Sequence, residues 1–153
     1  MYDEFRFQFV VFFTRESVAH LPVPEWEKRS ISLELGWDDL ENVLSKYDLR
    51  DWKFVESKTT PSPHYSFELR VETTAGTADV EGLIPEEKNQ IYLSRCPVLL
   101  LYDILKELNQ YVDPEIISNI QVGYDMHLVE YRKGADKADF FVAVTNSLLD
   151  RDE

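Results

Sequence analysis

The chain is poor in the residues that build small-molecule chemistry. Among its 153 residues Cys96 is the only cysteine, so no disulfide can form within the chain, and a reducing, cytoplasmic setting is the expectation. The five glycines, Gly36, Gly76, Gly82, Gly123 and Gly134, are scattered, which leaves neither a phosphate-cradling loop nor a dinucleotide fingerprint. The three histidines, His20, His64 and His127, lie too far apart for a helical metal-binding pair, and one cysteine cannot make a multi-cysteine zinc centre. No metal or cofactor is expected. No unbroken apolar run exceeds five residues, as in Phe9 to Phe13 and Val98 to Tyr102, against roughly 20 for a bilayer-spanning helix. The opening Met1-Tyr2-Asp3-Glu4 lacks the basic start of a signal peptide, so the reading is a soluble protein with no membrane role.

Basic residues are also in deficit. Lys and Arg total 16 against 29 Asp and Glu, a net charge of -13. A field of that sign repels phosphate backbones and anionic lipid and steers basic proteins inward, so direct nucleic-acid binding is not expected. The excess is spread along the chain, as -4, -3 and -6 over residues 1–50, 51–100 and 101–153.

What the chain does have is core. Hydrophobic residues make up 44% and aromatics 13%, and a chain of this length can bury roughly 70% of its unfolded surface. We expect one globular domain over residues 1–153, with residues 147–153 a frayed acidic end. The organising stretch is residues 94–112, where Val98, Leu101, Leu105, Leu108 and Val112 recur at helical spacing behind Pro97, placed in the first turn. Residues 5–14 read as a central strand buried on both faces. Residues 15–28 read as a loop with one helical turn after Pro24, and Ser30 to Leu35 as a second strand. Trp37 to Tyr47 has helical period, with Asp38, Asp39 and Glu41 in its first turn. A strand around Trp52 to Val55 and a loop over residues 59–63 follow.

His64 to Glu72 alternates Tyr65, Phe67, Leu69 and Val71 against His64, Ser66, Glu68, Arg70 and Glu72, and a turn at residues 74–76 returns the chain with Asp79 and Glu81 outward. Gln90 to Leu93 is a short strand. Beyond Asp113-Pro114, Glu115 to Ile120 reads as one helical turn. Strands over residues 122–128 and 138–145 then make a second hairpin about residues 132–136. The fold class is α+β, a largely antiparallel sheet of about seven or eight strands with two main helices packed on one face.

Three functions compete. The first is a non-enzymatic acidic protein that engages a basic protein partner, as an inhibitor of toxin-immunity, nuclease-blocking or anti-defence type. Its contact residues are Glu68, Glu72, Asp79 and Glu81 on the outer hairpin face, with Asp38, Asp39 and Glu41 as a second patch. The second is a ligand-binding or enzymatic domain with an aromatic-lined pocket between sheet and helices, reached past Trp26, Trp37 and Trp52. The third is an oligomeric subunit joined through sheet edges. Cys96 beside Arg95 at a helix start is the one arrangement that suggests thiolate chemistry, and Asp38-Asp39 the one that suggests a magnesium site.

Overall fold

Phe9, Val10, Val11, Phe12 and Phe13 are all buried, as in a strand covered on both faces. In the computed structural model, which describes residues 1–18, 20–56, 63–123 and 128–149, that strand is β1 (Arg6–Thr14). It is the fifth strand of a seven-stranded sheet. Two helices follow it, α1 (Val23–Arg29) and α2 (Trp37–Leu44), the latter closed by a 3-10 turn at Ser45–Tyr47. Next come β2 (Leu49–Val55), β3 (His64–Thr73), β4 (Gly76–Pro85) and β5 (Gln90–Pro97), then α3 (Val98–Leu108), β6 (Ile117–Val122), β7 (Leu128–Tyr131) and α4 (Lys137–Leu149). The strand order is β2-β3-β4-β5-β1-β6-β7, and every neighbouring pair is antiparallel.

Register decides which side chains share a face. Phe9 lies opposite Leu93 and Val122, and Val11 opposite Ile91 and Ile120, so these rows make one apolar surface. With Phe67, Leu69, Val71 and Val80 they pack beneath Leu40, Val43 and Leu44 of α2, Leu101, Ile104 and Leu105 of α3, and Phe140 and Val144 of α4. The opposite face carries Val10 and Phe12, which form a separate cluster with Val18 and Trp26 under α1. Three helices therefore cover one face and a fourth covers part of the other, where two on one face were expected.

The fold class is α+β, as the composition and periodicities imply, but four assignments are corrected. Ser30 to Leu35 is not a strand. The Ile31 N–H donates to the Phe13 carbonyl (2.8 Å) and the Leu33 N–H to the Lys88 carbonyl (2.9 Å), so an extended segment hangs from two places while Leu33 and Leu35 fill the core. Glu115 to Ile120 is not a helical turn, because residues 117–122 form β6 beside β1. Its Ile116 to Ile120 are all buried, and a strand covered on both sides shows no alternation.

Ala138 to Thr145 is helix, not the return strand of a hairpin. Asp136 Oδ2 accepts the Asp139 N–H, an N-terminal cap, and Phe140 and Val144 at i and i+4 make the buried side. The partner of β6 is β7 instead. Finally, residues 94–96 belong to β5, and Pro97 is the N-cap of α3 rather than part of its first turn. In the terminal stretch from Ser147, residues 147–149 continue α4 and residues 150–153 lie outside the described residues. So do residues 59–62 of the proline loop and residues 124–127 of the strand expected over 122–128.

Candidate functional site

The β3–β4 hairpin sets its outer side chains by register alone. Glu68 lies opposite Glu81, Arg70 opposite Asp79 and Glu72 opposite Thr77, on the face turned away from α2 and α3. Four of the seven predicted contact residues, Glu68, Glu72, Asp79 and Glu81, are thus brought together on one face. Arg70 Nε donates to Asp79 Oδ1 (3.0 Å), and Thr77 Oγ1 donates to Glu72 Oε1 (2.6 Å). The neighbouring carboxylate of Asp79 holds the Arg70 guanidinium even more firmly protonated than usual. Glu68 and Glu81 differ: they are register partners of like charge, a pairing unfavourable in itself, with Arg70 close enough to Glu68 to feel its charge. Arg50 of β2 lies opposite Glu68 on the other side, but its guanidinium pairs with Asp48 (3.2 Å).

Phe67 lies across Gly82, where an added Cβ would meet its ring at 2.1 Å, so the hairpin is packed from within by a ring that only glycine admits. The helix α1 covers the sheet only over β1 and its neighbours, so the acidic rows of β3 and β4 stand clear of it. A shallow hollow lined by Gln8, Glu81, Leu83, Tyr92 and Ser94 continues the face across β5 toward β1.

The second predicted patch lies elsewhere. Asp38, Asp39 and Glu41 belong to α2, on the opposite side of the sheet. Asp38 and Asp39 are exposed in the first turn, where the helix dipole already accounts for them. Among the described residues no group of three or more His, Cys, Asp or Glu side chains converges to hold a metal ion.

Thiolate chemistry at Cys96 is not supported by its setting. The side chain is fully buried at the end of β5, its Sγ donates to the Pro97 carbonyl (3.3 Å), and burial pushes the thiol pKa far up. Cys96 is a core residue, inert in the native fold. His20 is exposed, and His127 lies outside the described residues. His64, expected to face water, is buried between Val55 and Pro85 on the flanking strands.

The aromatic residues expected to line a pocket pack instead on one another. Trp37 and Trp52 sit 4.3 and 4.7 Å from Tyr65 between ring centroids, with Phe54 and Phe67 at the edges, and Lys88 Nζ lies 5.5 Å above the Trp37 ring. Trp26 is fully buried, edge-on to Phe12 at 5.8 Å, with its indole N–H donated to the Val18 carbonyl.

Sequence reasoning missed a cleft of about 700 Å³ between the N-terminal segment, α3 and α4. Its signal was present in the run Phe140-Phe141-Val142-Ala143-Val144, which has more apolar residues than one buried helix face can use. No protein-family model, no curated protein and no solved structure matches this chain.

Proposed function

We propose that the protein is a non-enzymatic acidic binding protein that engages a basic protein partner through the outer face of the β3–β4 hairpin, as an inhibitor would. The observation that carries the reading is the facing pair Glu68 and Glu81 on a sheet surface clear of α1. A lysine or arginine placed between them would add a favourable charge contact to both members of this like-charge pair. Glu72 and Asp79 extend the same face, and the net charge of -13 steers a basic partner toward it. A nucleic-acid enzyme or nuclease toxin, whose own surface is built to hold phosphates, is the partner class this chemistry suits.

The test is an affinity pull-down with wild-type protein and a Glu68→Lys, Glu81→Lys double variant, at low and high salt. One basic protein recovered by the wild type, lost with the double variant and lost at high salt, is the expected result. Recovery indifferent to both charge reversal and salt would overturn the reading.

A further inference from the structure

The cleft beside α4 has a chemistry of its own. Leu99 at the start of α3 and Ala138, Phe141 and Val142 of α4 form an apolar wall, and Tyr2 stands opposite. Val142 is 52% exposed, while Phe140 and Val144 on the other side of the same helix are buried in the core. Helix α4 is therefore apolar on two sides: Phe140 and Val144 fill the core and Phe141 packs at its edge, while among the described residues Val142 stays exposed.

The facing wall is pinned. Tyr2 N–H donates to the Glu72 carbonyl (3.0 Å), Thr74 N–H donates to the Tyr2 carbonyl (2.9 Å), and the Tyr2 hydroxyl donates to Asp103 Oδ2 (2.7 Å). Burial and the Asp103 carboxylate both hold that phenol protonated. The charge of Lys137 is answered by the same Asp103, 3.8 Å away. Asp3 and Asp136, both exposed, then stand against the α-ammonium of Met1, so the carboxylates outnumber the cation at the mouth of the cleft.

We propose that this cleft seats the apolar side of a basic amphipathic helix supplied by a partner protein. The apolar wall takes leucine-like anchors at i, i+3 and i+4, and Asp3 and Asp136 meet the lysines or arginines that flank them. Charge decides against the other occupants of an apolar groove. A second copy of this chain brings its own -13, and an anionic membrane surface is repelled in the same way. The inference shares with the hairpin reading only the sign of the partner, and it uses different residues.

The test uses fluorescein-labelled helical peptides of leucine and lysine, with leucine and glutamate as the acidic control, read by anisotropy against the full chain. The Leu/Lys peptide binds and the Leu/Glu peptide does not. Val142→Gln, on an exposed position, weakens binding by about tenfold or more, and Asp3→Asn with Asp136→Asn, which keeps a capping side chain, weakens it and flattens its salt dependence. Amide resonances of the wild type mapped during the titration shift at Leu99 and residues 138–142, a readout independent of any variant's folding.

Shifts confined to β3 and β4, equal binding of the Leu/Glu peptide, or unchanged affinity in Val142→Gln would each overturn the proposal. A concentration-dependent dimer abolished by Val142→Gln would also overturn it, in favour of a second copy. Because Glu68→Lys with Glu81→Lys leaves the cleft untouched, that variant separates failure here from failure of the hairpin reading.

Discussion

At the scale of single residues, burial and cross-strand neighbours decide more than residue type. Cys96 has the sequence context of an activated thiol, with an adjacent arginine and a helix ahead, yet its complete burial keeps it neutral. Iodoacetamide should leave native protein unlabelled near neutral pH and modify Cys96 fully once denaturant unfolds the chain, as mass spectrometry would record. Glu81 illustrates the opposite case, an exposed residue whose partner sets its worth. Changing Glu81→Lys turns a like-charge pair with Glu68 into an opposite-charge pair, and should stabilise the fold by about 0.2–1 kcal/mol in urea unfolding while weakening capture of a basic partner. A gain in stability with loss of binding is the pattern expected of a functional carboxylate. Loss of both would mark Glu81 as structural.

At the scale of elements, legibility followed periodicity. The hairpin of β3 and β4 was readable because one face is buried and the other wet, so Phe67, Leu69 and Val71 alternate with Glu68, Arg70 and Glu72. The strand β6 was unreadable for the converse reason. Its polar members Ser118 and Asn119 are buried too, with Asn119 Nδ2 donating to Thr14 Oγ1 (2.8 Å), so no alternation appears. The segment of α4 was ambiguous because a run of five apolar residues fits a buried strand as well as a helix, and the capping by Asp136 is the signal that separates them.

The short helix α1 depends on one side chain. Trp26 is its sole buried residue, and Trp26→Ala should cost about 3–5 kcal/mol in equilibrium unfolding, with loss of protection at the amides of α1. A cost below 1 kcal/mol would mean that α1 docks by other means.

At the scale of the whole molecule, the sheet has two edges and both are guarded. The edge strand β2 carries a register shift between Arg50 and Lys53, positive φ at Asp51 (56°) and charged side chains on Arg50, Asp51 and Lys53, while β7 is four residues long. Edge-to-edge assembly is therefore disfavoured beyond what charge alone imposes.

Stability should also fall in alkali. Burial, with the nearby Asp103 and Glu107 carboxylates, pushes the Tyr47 phenol up to about 12 from 10.0, and burial beside Tyr102 does the same to Tyr131. Both stay protonated in the folded chain while their unfolded counterparts ionise, so the unfolded state binds fewer protons as pH rises. Their contribution is intact below pH 10 and is lost as pH rises toward 12. Urea midpoints should drop across that window, and phenolate absorbance of the native protein should lag behind that of free tyrosine.

The sequence by itself determined the α+β class, the central buried strand, the organising helix, the acidic hairpin and the sign of the surface field. These follow from local periodicity and composition, which every residue carries wherever it lies. Only the tertiary structure decided that α1 takes the second face of the sheet, that α4 is a helix with Val142 exposed on a second apolar side, and that Glu68 is the register partner of Glu81 while Asp38, Asp39 and Glu41 stand on the far side of the sheet. Those facts depend on which strand lies beside which. Pairing across long sequence separations leaves no periodic trace in a segment whose two faces are both covered.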